Sequence, residues 1–186
     1  MAIRQILGAA FGMLALSIAN DASAQSAAVS DFKRFCMDTR ADSIAAFAAA
    51  DASGWINDNT DATSFVGLSG SPAGREINRG TTSFRTLTAG LTISGAAAYH
   101  KCVVVAQEPF DVVVAELGLT IPVRVGPQTA QQWTWNYINL DGALRSLDHM
   151  SVQDLVRAGQ THNPQMHVIA LQIAGGVILI YSEATY

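Results

Sequence analysis

Four histidines are the side chains of this sequence that titrate near neutral pH. Two of them have a methionine next to them, and imidazole and thioether groups are ligands that copper accepts in an oxidising compartment. The candidate metal ligands are therefore His149, Met150, His162 and His167. Adjacent residues on a strand point to opposite faces, so each His/Met dipeptide would offer only one ligand to a site. We therefore expect no resident metal or cofactor, and keep a His/Met metal-binding accessory protein as an alternative.

The same histidines are the candidates for acid–base catalysis. The sequence contains no Gly-x-Ser-x-Gly, no His-Glu-x-x-His and no phosphate-binding glycine loop. A hydrolase with a His-centred site would then need its groups assembled in space. This alternative predicts that two members of one set converge in a pocket: His100, Asp148, His149 and His162. We assign no catalytic residue from the sequence.

Three aromatic residues alternate with polar ones and so share one face of a predicted strand: Trp133, Trp135 and Tyr137. That face either lies in the core beneath helices or forms an exposed platform for a ligand. As a platform, the three residues would be the leading ligand-binding candidates.

The N-terminus has the layout of a secretory signal peptide. Arg4 precedes an apolar stretch of about 14 residues, too short for a membrane span, and Ala22-Ser23-Ala24 has the small-x-small cleavage pattern. We expect residues 1–24 to be a signal peptide, residues 25–186 to form one domain, and no membrane span to remain after cleavage. In a periplasmic or secreted chain, the two cysteines, Cys36 and Cys102, are expected to form a disulfide, with two buried free thiols as the alternative.

Composition excludes other classes of function. Of the 186 residues, 49% are hydrophobic and 14% are charged, so the chain is neither disordered nor strongly basic. The net charge is −4, and the basic residues are scattered. The chain therefore lacks the electrostatic surface that nucleic acid binding requires.

Hydrophobic periodicity predicts an α+β domain in which two N-terminal helices pack on a mostly antiparallel sheet, with an inserted helix and a C-terminal β-hairpin. Helices are expected from a cap at Ser30, over 41–52 with Ile44, Phe47 and Ala48 on one stripe, and over 109–118. Residues 57–82 read as a long loop.

Strands are predicted around 86–93, 99–106 and 133–140, with a short edge strand at 121–125. In the C-terminal hairpin, Gly175-Gly176 is the expected turn, which would pair Leu171 with Ile180.

One resemblance is carried by Phe32-x-x-Phe35-Cys36, by the segment Ala50-Asp51-Ala52-Ser53-Gly54-Trp55, and by a second Cys on a strand before a helix. The pattern resembles small exported proteins of uncharacterised function in Gram-negative bacteria. The resemblance implies export and a shared small domain, and it transfers no catalytic residues. We accordingly expect an exported, non-catalytic domain that binds an envelope protein or a small ligand, with an envelope hydrolase as an alternative.

Overall fold

The computed structural model describes residues 25–58, 74–94, 97–123, 125–126, 128–140, 143–148, 150–151, 153 and 165–185. The predicted signal peptide, residues 1–24, lies outside these ranges. The described residues form three α-helices, one π-helical turn and nine strands.

The first helix, α1 (Ala27–Phe32), continues directly into a π-helical turn, Lys33–Met37. The cap of α1 is Ser26, whose Oγ accepts a hydrogen bond from the amide of Val29 at 3.1 Å, and the cap predicted at Ser30 is wrong. Ser26 is fixed there because its Oγ donates to Glu108 at 2.6 Å and its amide donates to Glu116 at 2.7 Å.

Two further helices follow. Helix α2 (Ser43–Asp51) begins after Asp42, whose carboxylate accepts a hydrogen bond from the Ala45 amide. Helix α3 (Phe110–Thr120) begins after Pro109, which has no N–H of its own to satisfy. In the sequence, α3 follows the first four strands of the sheet and precedes the other five.

The nine strands are β1 (Ile56–Asp58), β2 (Gly74–Ile77), β3 (Arg85–Ser94), β4 (Ala97–Ala106), β5 (Gln128–Thr129), β6 (Gln132–Leu140), β7 (Ala143–Ser146), β8 (Gln165–Ile173) and β9 (Gly176–Thr185). They form one sheet in the order β1-β2-β3-β4-β9-β8-β6-β5, and β7 also pairs with β6. Every described pairing is antiparallel, so the α+β class with a mostly antiparallel sheet is confirmed. The C-terminal strand β9 pairs with β4 and so occupies the middle of the sheet.

One face of this sheet carries the core, and we call it the helical face. Its buried side chains pack with those of the helices, and they include Leu87, Cys102, Trp135, Val168 and Leu179. The opposite face carries aliphatic side chains on the three central strands: Val103, Val105, Ile169, Leu171, Ile178 and Ile180. Apart from Val103, which is buried, these are only half-buried. None of the helices in the described part of the chain combines the length and apolar composition needed to cross a membrane.

The stripe predicted for α2 packs on the core only through Phe47, which is half-buried. Ile44 is highly exposed and Ala48 is exposed, whereas Ala46 and Ala50 are fully buried. Methyl side chains allow the helix axis to lie close to its neighbours, and a helix rich in Ala has no strong apolar stripe to orient it. Tertiary packing therefore decides which face of α2 is buried.

Two segments differ from their predicted structure. The expected loop over 57–82 contains strand β2, which pairs with β3 through Gly74–Ile77. The strand expected at 121–125 is absent from the described residues there, and the edge strand is β5 instead. Pro122 lacks an amide to donate, and the chain returns to β6 only at Gly126, whose amide donates to the Thr134 carbonyl at 2.7 Å.

The predicted hairpin register is also wrong, because each residue of β8 pairs with the β9 residue two positions before the predicted partner. Ile173 pairs with Gly176 and Leu171 with Ile178, so Ala174 and Gly175 form the turn. Gly175 has the positive φ of 76° that this turn needs. Gly176 is a strand residue, and a Cβ on it would lie 2.2 Å from the Ala106 carbonyl oxygen.

Candidate functional site

The predicted disulfide is present and joins the two layers of the domain. Cys36 lies in the π-helical turn and Cys102 lies on β4, with their Cα atoms 5.3 Å apart. The bond fits the oxidising compartment that we expect for an exported chain. It also fixes the end of the first helix above one position of the sheet.

Next to the disulfide, a row of cross-strand partners that includes three polar residues crosses the helical face. His100 on β4 and Met166 on β8 are both cross-strand partners of Glu183 on β9. The row continues to Leu91 on β3 and Tyr137 on β6. Cross-strand partners hold their Cβ atoms about 5 Å apart, so the row places these side chains side by side.

Glu183 is the centre of this row and is almost fully buried. Its Oε1 accepts a hydrogen bond from Arg40 Nη2 at 2.5 Å, and its Oε2 accepts bonds from Arg40 Nε at 3.2 Å and from the Tyr181 hydroxyl at 2.9 Å. The side chain of Glu183 is 5% exposed and that of Arg40 is 63% exposed. A buried carboxylate is thus neutralised by a guanidinium that reaches it from the surface.

The backbone at Arg40 has an unusual, left-handed conformation. The Arg40 amide donates to the Met37 carbonyl, and the Ala41 amide donates to the Cys36 carbonyl, which is the bonding pattern of a Schellman C-cap. The first position after such a cap is usually Gly because its φ is positive, yet here it is Arg40, with φ of 56°. Ala41 has the same φ. Each left-handed non-Gly residue costs about 1 to 2 kcal/mol.

The electrostatics of the cluster follow from burial and from the Glu183 charge. Burial first, and the nearby carboxylate second, raise the pKa of Tyr137 and that of Tyr181 well above the ordinary value. The hydrogen bond to Glu183 raises the pKa of Arg40. Both phenols are therefore held neutral, and the single anion of the cluster is paired with the single guanidinium.

The helical layer ends beside this cluster. On β3, Leu87 and Ala89 are buried under the helices, whereas Leu91 is 38% exposed and Ile93 is 68% exposed on the same face. His100, the partner of Leu91, is half-buried. We call this surface, formed by Leu91, Ile93, His100 and Arg40, the open end of the helical face. It combines two apolar side chains, an imidazole and a guanidinium.

The predicted aromatic set lies on the helical face. Trp135 and Tyr137 are buried in the core, which is the first of the two arrangements expected for this face. Trp133 is half-buried and lies 6.0 Å from Trp135 between ring centroids. The Nε1–H of Trp135 has no hydrogen-bond acceptor within the described part of the chain. Only Trp133 presents surface to a ligand, and a binding role for the set stays a prediction.

The predicted metal ligands are only partly described. His149 and His162 lie outside the described residues, and Met150 packs on Ile138 and Leu147. The Nδ1–H of His167 donates to Oδ1 of Asn136 at 2.8 Å, and burial lowers the pKa of this histidine. Among the described residues, no three His, Cys, Asp or Glu side chains group as a metal site would need.

The predicted convergence of catalytic groups is not found for the two members of that set that are described. His100 lies on the helical face. Asp148 lies near Asn136, because a Cβ added to Gly126 would be 3.1 Å from the Asp148 carboxylate and 3.5 Å from the Asn136 amide nitrogen. Asn136 is on the face of the sheet opposite the helical face, so Asp148 is on that side too. The cross-strand partners of His100 on its own face are Leu91 and Glu183.

Sequence reasoning missed Arg40, Tyr181 and Glu183. One signal was available, because strand alternation puts both Tyr181 and Glu183 on the face that carries Val177 and Leu179. A carboxylate on an apolar face demands a partner. Nothing in the sequence identifies Arg40 as that partner, since 143 positions separate the two residues.

Comparison of the chain with protein-family models, with curated proteins and with solved structures gives no match. The class that the fold and the site define is thus a disulfide-tied α+β domain with a paired, buried carboxylate beside a partly apolar surface.

Proposed function

We propose that the protein is an exported, non-catalytic domain that binds a ligand or an envelope partner at the open end of its helical face. The observation that carries this proposal is the state of Glu183. Both of its oxygens accept hydrogen bonds, and a general base needs an accessible lone pair. The geometry favours recognition because the cluster is closed inward, while Arg40 remains exposed outward.

The expected scaffold supports this role. Two N-terminal helices packed on the sheet, the inserted helix and the C-terminal hairpin would hold the open end rigid, with the disulfide next to it. Pre-organised surfaces lose less conformational entropy on binding. The periplasm or the extracellular space is the proposed compartment, since the disulfide is stable there.

Site-specific photo-crosslinking tests the proposal. A photoreactive residue replaces Ile93 at the open end or, as the matched control, Leu119, which is 85% exposed on α3. Each variant is produced in the periplasm of a Gram-negative host and irradiated there. We expect a discrete adduct from position 93 that is absent from position 119. Equal labelling at the two positions, or labelling at neither, would refute a binding site at the open end.

One observation favours the hydrolase alternative, namely that His100 is the cross-strand partner of a carboxylate. If His100 acted as a base oriented by Glu183, the protein would hydrolyse a chromogenic ester, and His100→Ala would abolish the activity. We expect no turnover above the buffer rate from the wild-type protein. Turnover that depends on His100 would replace the binding proposal.

A further inference from the structure

We propose that Arg40 is the recognition residue of this site and that the ligand is a carboxylate attached to an apolar body. The inference rests on the proposed function and deepens it by naming the ligand chemistry. It follows from which edge of the guanidinium is occupied, from how Arg40 is held, and from what surrounds it.

A guanidinium has two edges that can each hold a carboxylate through a pair of parallel hydrogen bonds. Glu183 occupies the edge formed by Nε and Nη2. The other edge, formed by Nη1 and the second hydrogen of Nη2, has no partner among the described residues. With 63% of its side chain exposed, Arg40 presents this edge to solvent.

Arg40 is also held in place before any ligand arrives. The C-cap fixes its backbone, and two hydrogen bonds to the buried Glu183 fix its side chain. A free surface arginine loses much rotamer entropy when it binds an anion, whereas an anchored one loses little. Glu183 therefore acts as a positioning residue for the guanidinium.

The surroundings define the rest of the ligand. Leu91 and Ile93 are exposed on the same face, two positions apart on β3, and His100 lies between Leu91 and Glu183 in the row. Exposed apolar side chains on the same face as an anchored cation, two strands from the carboxylate that holds it, fit an amphiphilic anion. Arg40 would bind its carboxylate, and Leu91 and Ile93 would contact its apolar chain.

Isothermal titration calorimetry with a probe series tests this pairing of charge and apolar surface. The probes are octanoate, acetate and octanol. We expect octanoate to bind, and both acetate, which lacks the chain, and octanol, which lacks the charge, to bind at least about tenfold more weakly. Octanol binding as tightly as octanoate would overturn the role of the carboxylate.

Two pairs of variants locate the contacts. Arg40→Lys keeps the charge but loses the two-pronged edge, and Arg145→Lys, at an exposed position on β7, is its control. We expect octanoate affinity to fall about tenfold in the first and to stay unchanged in the second. Ile93→Ser should also weaken binding, whereas Leu119→Ser should not. Unchanged affinity in Arg40→Lys would overturn the proposal.

A folding defect in Arg40→Lys would be recognised by circular dichroism. In that case the double variant Arg40→Gly/Glu183→Gln gives the same test, since Gly suits the left-handed position and Gln carries no buried charge. It should fold and should not bind octanoate.

A carboxylate with an apolar body could come from a free acid or from the carboxyl terminus of a protein. An acetylated apolar tripeptide and its C-terminal amide separate these sources, since only the free carboxyl form should compete with octanoate if protein termini are bound. If no probe binds while crosslinking at position 93 persists, the carboxylate inference fails and the binding function stands. Loss of both results would reject the two together.

Discussion

At the scale of single residues, the site contains two features that each cost free energy. Burying Glu183 removes a carboxylate from water, and the left-handed Arg40 strains the backbone. Their mutual hydrogen bonds satisfy the buried carboxylate and hold the side chain of the residue with the left-handed backbone. The third bond, from the Tyr181 hydroxyl, is the second one that Oε2 of Glu183 accepts.

The two phenols near Glu183 predict loss of stability in alkaline solution. Because the pKa of Tyr137 and that of Tyr181 are raised in the folded state, the unfolded chain releases these protons first. Their contribution is complete below the unfolded value of about 10 and is lost as pH rises above it, by about 1.4 kcal/mol per pH unit for each group. Denaturant titrations from pH 8 upward should show this decline, and Tyr181→Phe should reduce its slope. A stability independent of alkaline pH would contradict the burial of the two hydroxyl groups.

His167 predicts the opposite behaviour in acid. Burial lowers its pKa in the folded state, so the unfolded chain binds the proton more tightly. The contribution is complete above the unfolded value of about 6.5 and is lost as pH falls below it. His167→Gln retains a partner for Asn136 and should remove this part of the acid sensitivity, measured as the free energy of unfolding between pH 7.5 and 5. Parallel curves for the two proteins would contradict this assignment.

At the scale of elements, the close approach of β9 to the end of β4 sets the hairpin. Gly176 lies against the carbonyl of Ala106, and Gly175 supplies the positive φ. The two adjacent glycines thus have different tasks, one steric and one conformational.

Three glycine-to-alanine variants separate these tasks. Gly175→Ala should cost about 1 kcal/mol because it forces alanine into a left-handed conformation. Gly176→Ala should cost more, since its Cβ would meet backbone that cannot move aside. Gly118→Ala is the control, because it lies within α3 with nothing within 4 Å of the added methyl, and it should stabilise by about 0.5 to 1 kcal/mol. Thermal unfolding gives the ranking, and equal costs at 175 and 176 would argue against the register.

What could be predicted from the sequence depends on whether the signal was local. Periodicity located β3, β4, β6 and α3 to within a few residues, because their side-chain patterns repeat along the chain. The range of helix α2 was predicted well, but of its predicted stripe only Phe47 packs on the core, since Ala gives little orientation. The hairpin register depends on the close approach of Gly176 to Ala106, a residue of another strand, and so it could not be predicted from the hairpin sequence.

The candidate site shows the same limit more strongly. The disulfide could be predicted because two cysteines in a chain with the layout of a signal peptide leave one pairing. The Arg40–Glu183 pair could not be predicted, because it joins the cap after the π-helical turn to the last strand and no short motif encodes it. Its carboxylate was visible only as an acidic residue on an apolar strand face.

At the scale of the whole molecule, the disulfide joins the helical layer to the middle of the sheet. Cys36 and Cys102 are separated by 66 positions, and the segment between them contains α2 and strands β1 to β3. Cys102 lies on β4, which is the neighbour of β9 in the sheet. Its cross-strand partner is Tyr181, two residues before Glu183. Scaffold and candidate site are thus fixed by the same covalent bond.

Removing this bond predicts a large loss of stability that originates in the unfolded chain. Closing a loop of this length restricts the unfolded ensemble by about 4 kcal/mol in the chain-entropy account. Cys36→Ala/Cys102→Ala should lose about that amount in urea unfolding, and its m value should rise because its unfolded state is more expanded. A loss of the same size with an unchanged m value would place the effect in the folded state instead. In that case octanoate binding by the folded fraction of the variant should weaken as well, since Arg40 lies only four positions beyond Cys36; if the effect lies in the unfolded chain, the folded fraction should bind octanoate as the wild type does.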